Sequence, residues 1–179
     1  YIYYSFLSIA LLFLSCGDST DSKTEVSEKV EITSDEAFDK IIELEENVIG
    51  SNNVVSNSKL LELKRACEDF DKNYYKDKRV EAVLQKGIRA SVSLKNYADA
   101  IVLMEKIIKN YGTEEKMPSL LFQKAFIYSE SNWLGEADKL YSKIIKRYPN
   151  DPLAEQAKAA QEILFLTPEE LNAKFSNPE

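Results

Sequence analysis

Three alanines constrain this chain more than any other residues. Ala66, Ala100 and Ala137 each stand four positions before a large apolar residue, namely Phe70, Met104 and Tyr141. They are 34 and then 37 residues apart. In the last two cases an isoleucine follows three positions later, at Ile107 and Ile144, and Pro149 closes the last one. Residues at i, i+4 and i+7 share one face of an α-helix. A small residue repeated on such a face marks a place where two helices approach closely. A period in this range marks a stacked array of helical units. Gly and Pro number only five each, too few for the many turns of a sandwich or barrel. The expected fold class is therefore all-α.

Helix signals fill the chain from Thr33 onward. Thr33 and Glu36 have capping-box spacing, and Ala37, Ile41, Leu44 and Val48 follow on one face until Gly50. A second helix is expected over about 57–74. A third follows over about 78–94 with Asp77 as its cap, and a fourth over 97–110. Residues 111–118 read as a loop. Further helices are expected at about 119–131, 134–147 and 153–165. Thr167-Pro168-Glu169-Glu170 opens a last short one with a second capping box.

Directly before the helix that holds Ala137, Leu121, Ala125 and Tyr128 stand at i, i+4 and i+7. Together with Ala137, Tyr141, Ile144 and Pro149 they resemble one nearly complete tetratricopeptide repeat. Leu84, Ala100, Met104 and Ile107 resemble a more degenerate one, in which Ile88 and Ser91 replace the small and aromatic residues and Gly87 sits one residue early. Ala66 and Phe70 carry the weakest match. The resemblance implies a right-handed superhelix of antiparallel helix pairs, about three repeats long. Its expected parts are a degenerate helix pair at 33–76, repeats at 77–112 and 117–150, and capping helices at 151–179. The segment Tyr141 to Pro152, ending Tyr148-Pro149-Asn150-Asp151-Pro152, resembles repeats of the Gram-negative envelope. These include the lipoprotein of the β-barrel assembly machinery and the Tol-Pal-associated coordinator family.

In that family the first helix of each pair lines a groove. The matching positions here are Gln85, Lys86, Arg89, Val92, Phe122, Gln123, Phe126 and Ser129. Phe122 and Phe126 either form an aromatic platform for a peptide or pack against the third or the seventh helix. Lys86 and Arg89 either meet an acidic peptide end or form a solvated face. The Lys, Asn and Arg set of chaperone-binding tetratricopeptide domains is lacking.

The N-terminal stretch is of another kind. Tyr1 to Ser15 carries no charge, and its apolar core, Phe6 to Leu14, falls short of the roughly 20 residues a spanning helix needs. It has the length of a signal-peptide core. Leu14-Ser15-Cys16-Gly17 resembles a bacterial lipoprotein signal, although Phe13 departs from the usual aliphatic residue. The resemblance implies a signal peptide over 1–15, cleavage before Cys16 and lipid on its thiol and amine. The basic segment expected before the apolar core is missing, so the signal reads as N-terminally incomplete. Gly17 to Glu31 is acidic and polar, with two isolated valines, and residues 16–32 read as a lipidated cysteine on a disordered tether. Fifteen flexible residues reach roughly 20 Å. Gly17, rather than an aspartate, follows Cys16, so the inner-membrane retention signal known in lipoproteins is absent. Outer-membrane anchoring facing the periplasm follows from the resemblance.

Composition narrows the function. The chain has no histidine, which removes Ser-His-Asp and Cys-His catalysis and histidine-liganded metals. Two cysteines make no disulfide scaffold, and Cys67 reads as a small core residue. A net charge of −7 argues against nucleic acid as a partner. No phosphate loop or nucleophile elbow occurs. No enzyme activity, cofactor or metal is implied. The expected function is a non-catalytic interaction scaffold, anchored to the membrane by lipid, whose partner is an envelope protein or peptide segment. The alternatives are a self-associating helical spacer or a small-ligand binder.

Overall fold

The chain divides into two units, Tyr1–Glu31 and Ile32–Glu179. The computed structural model describes residues 32–50 and 54–176, all within the second unit. The expected signal peptide, Cys16 and the tether up to residue 31 lie outside the described residues.

The second unit is all-α, with eight helices among the described residues: α1 Ser34–Glu46, α2 Asn57–Asn73, α3 Val80–Ser93, α4 Tyr97–Tyr111, α5 Met117–Glu130, α6 Leu134–Arg147, α7 Pro152–Ile163 and α8 Pro168–Ser176. Each helix from α1 to α6 packs on the next in chain order, and α1 also meets α3, as α5 meets α7. This is a solenoid-like stack of helix pairs.

Local chemistry sets the helix ends. Thr33 and Glu36 form a reciprocal capping box, with Thr33 N donating to Glu36 Oε2 at 2.7 Å and Glu36 N donating to Thr33 Oγ1 at 3.2 Å. Thr167 and Glu170 repeat it before α8. Asn96 and Asp151 cap α4 and α7 through their side chains. Three expected boundaries move. α1 stops at Glu46, where Asn47 caps it by donating from Nδ2 to the Glu43 carbonyl at 2.8 Å, so Val48 lies beyond the helix. α3 begins at Val80, because Asp77 does not cap it; its carboxylate accepts from Arg79 N at 2.9 Å and grips the Arg79 guanidinium, which holds a turn. α5 begins at Met117, inside the expected loop. Pro118 fits the first helical turn because its fixed φ is already helical and its missing N–H would have had no partner there.

The register of the repeat also differs from expectation. The buried face of α2 is Leu63, Cys67 and Phe70, while Ala66 is only partly buried. These three stand 37 residues before Ala100, Met104 and Ile107, which stand 37 before Ala137, Tyr141 and Ile144. All nine are buried. The first helices keep the same step: Val83, Leu84, Ile88, Ala90 and Ser91 in α3 match Leu120, Leu121, Ala125, Ile127 and Tyr128 in α5, and again all are buried. Even the turns repeat. Lys95 and Asn132 both have positive φ, 58° and 62°. The next residue in each turn reaches back to a carbonyl five positions earlier, Asn96 N to Ser91 O and Trp133 N to Tyr128 O, both at 2.8 Å. The period is thus 37 throughout, not 34 and then 37.

Gly87 explains why the α2–α3 contact works without Ala66. A Cβ at Gly87 would lie 3.3 Å from Cys67 Cβ and 3.3 Å from Leu103 Cδ1. The small pair Gly87 and Cys67 brings these helices together. The early glycine is a close-approach point, although it sits in a helix interior where glycine costs about 1 kcal/mol relative to alanine.

The core falls into two clusters. One spans α1 to α4 and takes Leu120 and Ile127 from α5. The other joins α5, α6 and α7 around Leu121, Ala125, Tyr128, Ala137, Tyr141, Ile144 and Ala157. α5 therefore divides its faces between two cores.

Candidate functional site

Where the two cores meet, α3 and α5 part. Between them lies a cleft of ≈ 430 Å³. Ile88, Arg89, Val92 and Ser93 of α3 form one wall, and Phe122, Gln123, Phe126 and Ile127 of α5 form the other. Met104 of α4 is the floor, and it is fully buried. Side-chain size accounts for the opening. α7 meets α5 with Ala154 and Ala157 buried, whereas α3 and α5 face each other with Val92, Phe122 and Phe126. Bulky residues hold helix axes further apart than alanines do.

Five of the eight expected groove positions line this cleft: Arg89, Val92, Phe122, Gln123 and Phe126. Phe126 is 47% exposed and presents its ring at the rim. Phe122 is partly buried, and its ring meets Tyr141 of α6 edge-on, 5.4 Å between centroids and 62° between planes. It therefore packs within its own helix pair as well as lining the cleft. Burial pushes the Tyr141 phenol above its usual range, against a hydrogen bond with Ser129 that works the other way. Gln123 donates from Nε2 to Ser119 Oγ at 3.2 Å, one turn earlier.

Gln85 and Lys86 stand apart from the cleft. Gln85 is partly buried on α3. Lys86 is ion-paired to Glu45 of α1, with its side chain only 15% exposed. Arg89 shares the same carboxylate, from Nη2 to Glu45 Oε1 at 3.0 Å. The expected acidic peptide end thus has an internal counterpart, since α1 supplies the acid and covers this part of α3. Burial works against the Glu45 charge, but the hydrogen bonds from Lys86 and Arg89 outweigh it and leave the pKa lowered.

Most of the remaining sequence-selected positions are packing sites, and Pro149 is not. Leu84, Ala125 and Tyr128 are buried, and the Tyr128 ring stacks on Trp133 at 5.7 Å and 11°. Pro149 is exposed in the turn after α6, where Tyr148 caps the helix. Cys67 is buried and free, and burial pushes its thiol up to about 12. Ser129 donates from Oγ to the Phe126 carbonyl at 2.8 Å and stays outside the cleft lining.

Ile88, Ser93 and Ile127 are cleft residues that sequence reasoning missed, and it assigned Met104 to packing alone. Ile88 held a signal. A large residue stands where the repeat resembled here takes a small one, and Ala125 occupies the equivalent position in α5.

Among the described residues no cluster of three or more Cys, Asp or Glu is arranged to hold a metal, and no helix is long and apolar enough to cross a membrane. No family model matches the chain, and no curated protein matches it.

Proposed function

We propose that the protein is a non-catalytic interaction scaffold whose α3–α5 cleft holds a segment of another polypeptide. One observation carries this reading. The cleft has a buried apolar floor at Met104 and an aromatic rim at Phe126, with Arg89 as the only charged residue among those lining it. A concave, mostly apolar surface with a few polar groups is what peptide and small-ligand sites share. A spacer would instead present a uniformly charged face. The small-then-large order at Ala100/Met104 and Ala137/Tyr141 supports a tetratricopeptide-like array, with the step lengthened to 37 residues from the roughly 34 usual for that repeat. The residues around Cys16 support a lipid anchor in the bacterial envelope, with the array facing the periplasm.

A photoreactive phenylalanine analogue at Phe126, in the full chain expressed in intact cells, tests the groove. The expected result is an adduct at Phe126 and none at Val102, an exposed residue of α4 outside the cleft. Adducts at Val102 with none at Phe126 would reject the groove. Fatty-acid labelling tests the anchor separately: Cys16→Ala should abolish it and release the protein from membranes.

A further inference from the structure

Among the described residues the last helix has an apolar face that is largely open. α8 contains no buried residue. Its Leu171 and Phe175 are four positions apart and so share one face; Leu171 is partly buried and Phe175 is 67% exposed. Among the described residues its side chains make one ion pair to another helix, Lys174 to Glu162 of α7 at 3.0 Å. Yet the helix is well started, by the Thr167–Glu170 capping box. An amphipathic helix gains most of its stability in water from burying its apolar side, and nine residues are too few to be stable by propensity alone. Among the described residues the chain therefore carries a largely open apolar helix face and an open apolar cleft.

We propose that the α3–α5 cleft receives α8 of a second copy of the chain, with Leu171 and Phe175 as anchors. This rests on reading the cleft as a polypeptide groove and names its occupant. Recognition of a helix by apolar residues at i and i+4 is a common mode of groove binding. Charge agrees with it. Arg89 is the one charged residue of the cleft; it shares the single carboxylate of Glu45 with Lys86, so the group keeps one net positive charge, with the Arg89 side chain 61% exposed, and α8 carries Glu169 and Glu170 against a single lysine. Size argues for reciprocity. A stable interface buries about 1,600 Å² in total, more than one nine-residue helix supplies. Two copies exchanging α8 about a two-fold axis make the contact twice and close the assembly.

The test uses two differently tagged full chains, one carrying the photoreactive analogue at Phe126, purified together in detergent and irradiated. The expected adduct joins position 126 to the peptide 168–176 of the other tag. Phe175→Asp in that second chain should lower the yield at least tenfold. Phe175 is exposed, so this substitution leaves the fold intact and the loss reports docking. An adduct on 168–176 of the same chain, an unchanged yield with Phe175→Asp, or adducts confined to a foreign polypeptide would each overturn the exchange. The last of these would leave the groove itself standing. Absence of any adduct at 126, with capture at 102, would instead remove the groove.

Discussion

Truncation of Met104 to alanine should destabilise the protein by about 2–3 kcal/mol. Met104 is fully buried in α4 and is also the floor of the cleft. Removing a buried methionine side chain to Cβ costs about 2–5 kcal/mol, the sum of lost transfer free energy and the void left behind. Here the void opens into a cleft of ≈ 430 Å³ and fills with water rather than staying empty. The cavity contribution shrinks, and the cost falls at the low end of that range. At about 3 °C per kcal/mol for a domain of this size, the midpoint of thermal unfolding drops by roughly 6–9 °C. Urea unfolding followed by helical circular dichroism gives the same quantity at constant temperature. Val102→Ala, on the exposed side of the same helix, should change stability by less than about 0.5 kcal/mol. Met104→Leu, which keeps the volume, should cost less than about 1.5 kcal/mol. If Met104→Ala matched Val102→Ala, the residue would not be the wall between core and cleft, and the division of the two cores would be wrong.

Other substitutions probe separate parts of the fold. Ser91 Oγ is buried without a hydrogen-bond partner, and an unsatisfied buried hydroxyl costs about 1–3 kcal/mol, so Ser91→Ala should raise stability by about 1 kcal/mol in urea unfolding; a loss would mean that the hydroxyl has a partner. Cys67, with its thiol pushed up to about 12, should resist iodoacetamide at pH 8 and react once urea unfolds the chain, as mass spectrometry of its peptide would show; fast labelling of the native protein refutes the buried contact with Gly87. The Glu45 pKa is lowered in the fold, so the stabilisation from Lys86 and Arg89 is present above the ordinary carboxylate range and is lost as pH falls through the lowered value. Urea midpoints at pH 7 and pH 3.5 should therefore differ less in Glu45→Gln than in the parent chain, and an equal difference would dismiss the α1–α3 latch.

Periodicity and capping are local, and the sequence showed them plainly. The Thr33–Glu36 and Thr167–Glu170 boxes need only four residues each, and the bounds of α6 at 134–147 follow from the apolar face and the Tyr148-Pro149 stop. The repeat register was harder to read, because the small residue changes place. In α4 and α6 it comes first, as Ala100 and Ala137, with the large residue after it. In α2 the large Leu63 comes first and Cys67 is the small one, with Gly87 opposite. Matching alanine to alanine therefore shifts the first unit by three residues. A cue less tied to side-chain size was available: Lys72/Tyr74, Lys109/Tyr111 and Lys146/Tyr148 recur at 37 with no such exchange. The pairing of Lys86 and Arg89 with Glu45 could not be read at all, because it joins residues more than forty positions apart across a register that only packing sets.

The position of the cleft follows from the same exchange of sizes. A strictly regular array of helix pairs would pack every first helix on the next. α1 meets α3 through a charged latch, and α5 meets α7 through buried alanines. Between them, Ile88 replaces the small residue that α5 has at Ala125, and Phe122 and Phe126 face Val92 across the gap. The first core ends on Ile127 and Leu120, and the second begins on Leu121 and Ala125, so one helix serves both sides with adjacent stripes. Filling the gap from within would need larger side chains at Ser93 or Gln123, and both are small or polar. The irregular step in a regular array is thus where apolar surface stays open, and a binding function requires that surface to stay open until a partner arrives.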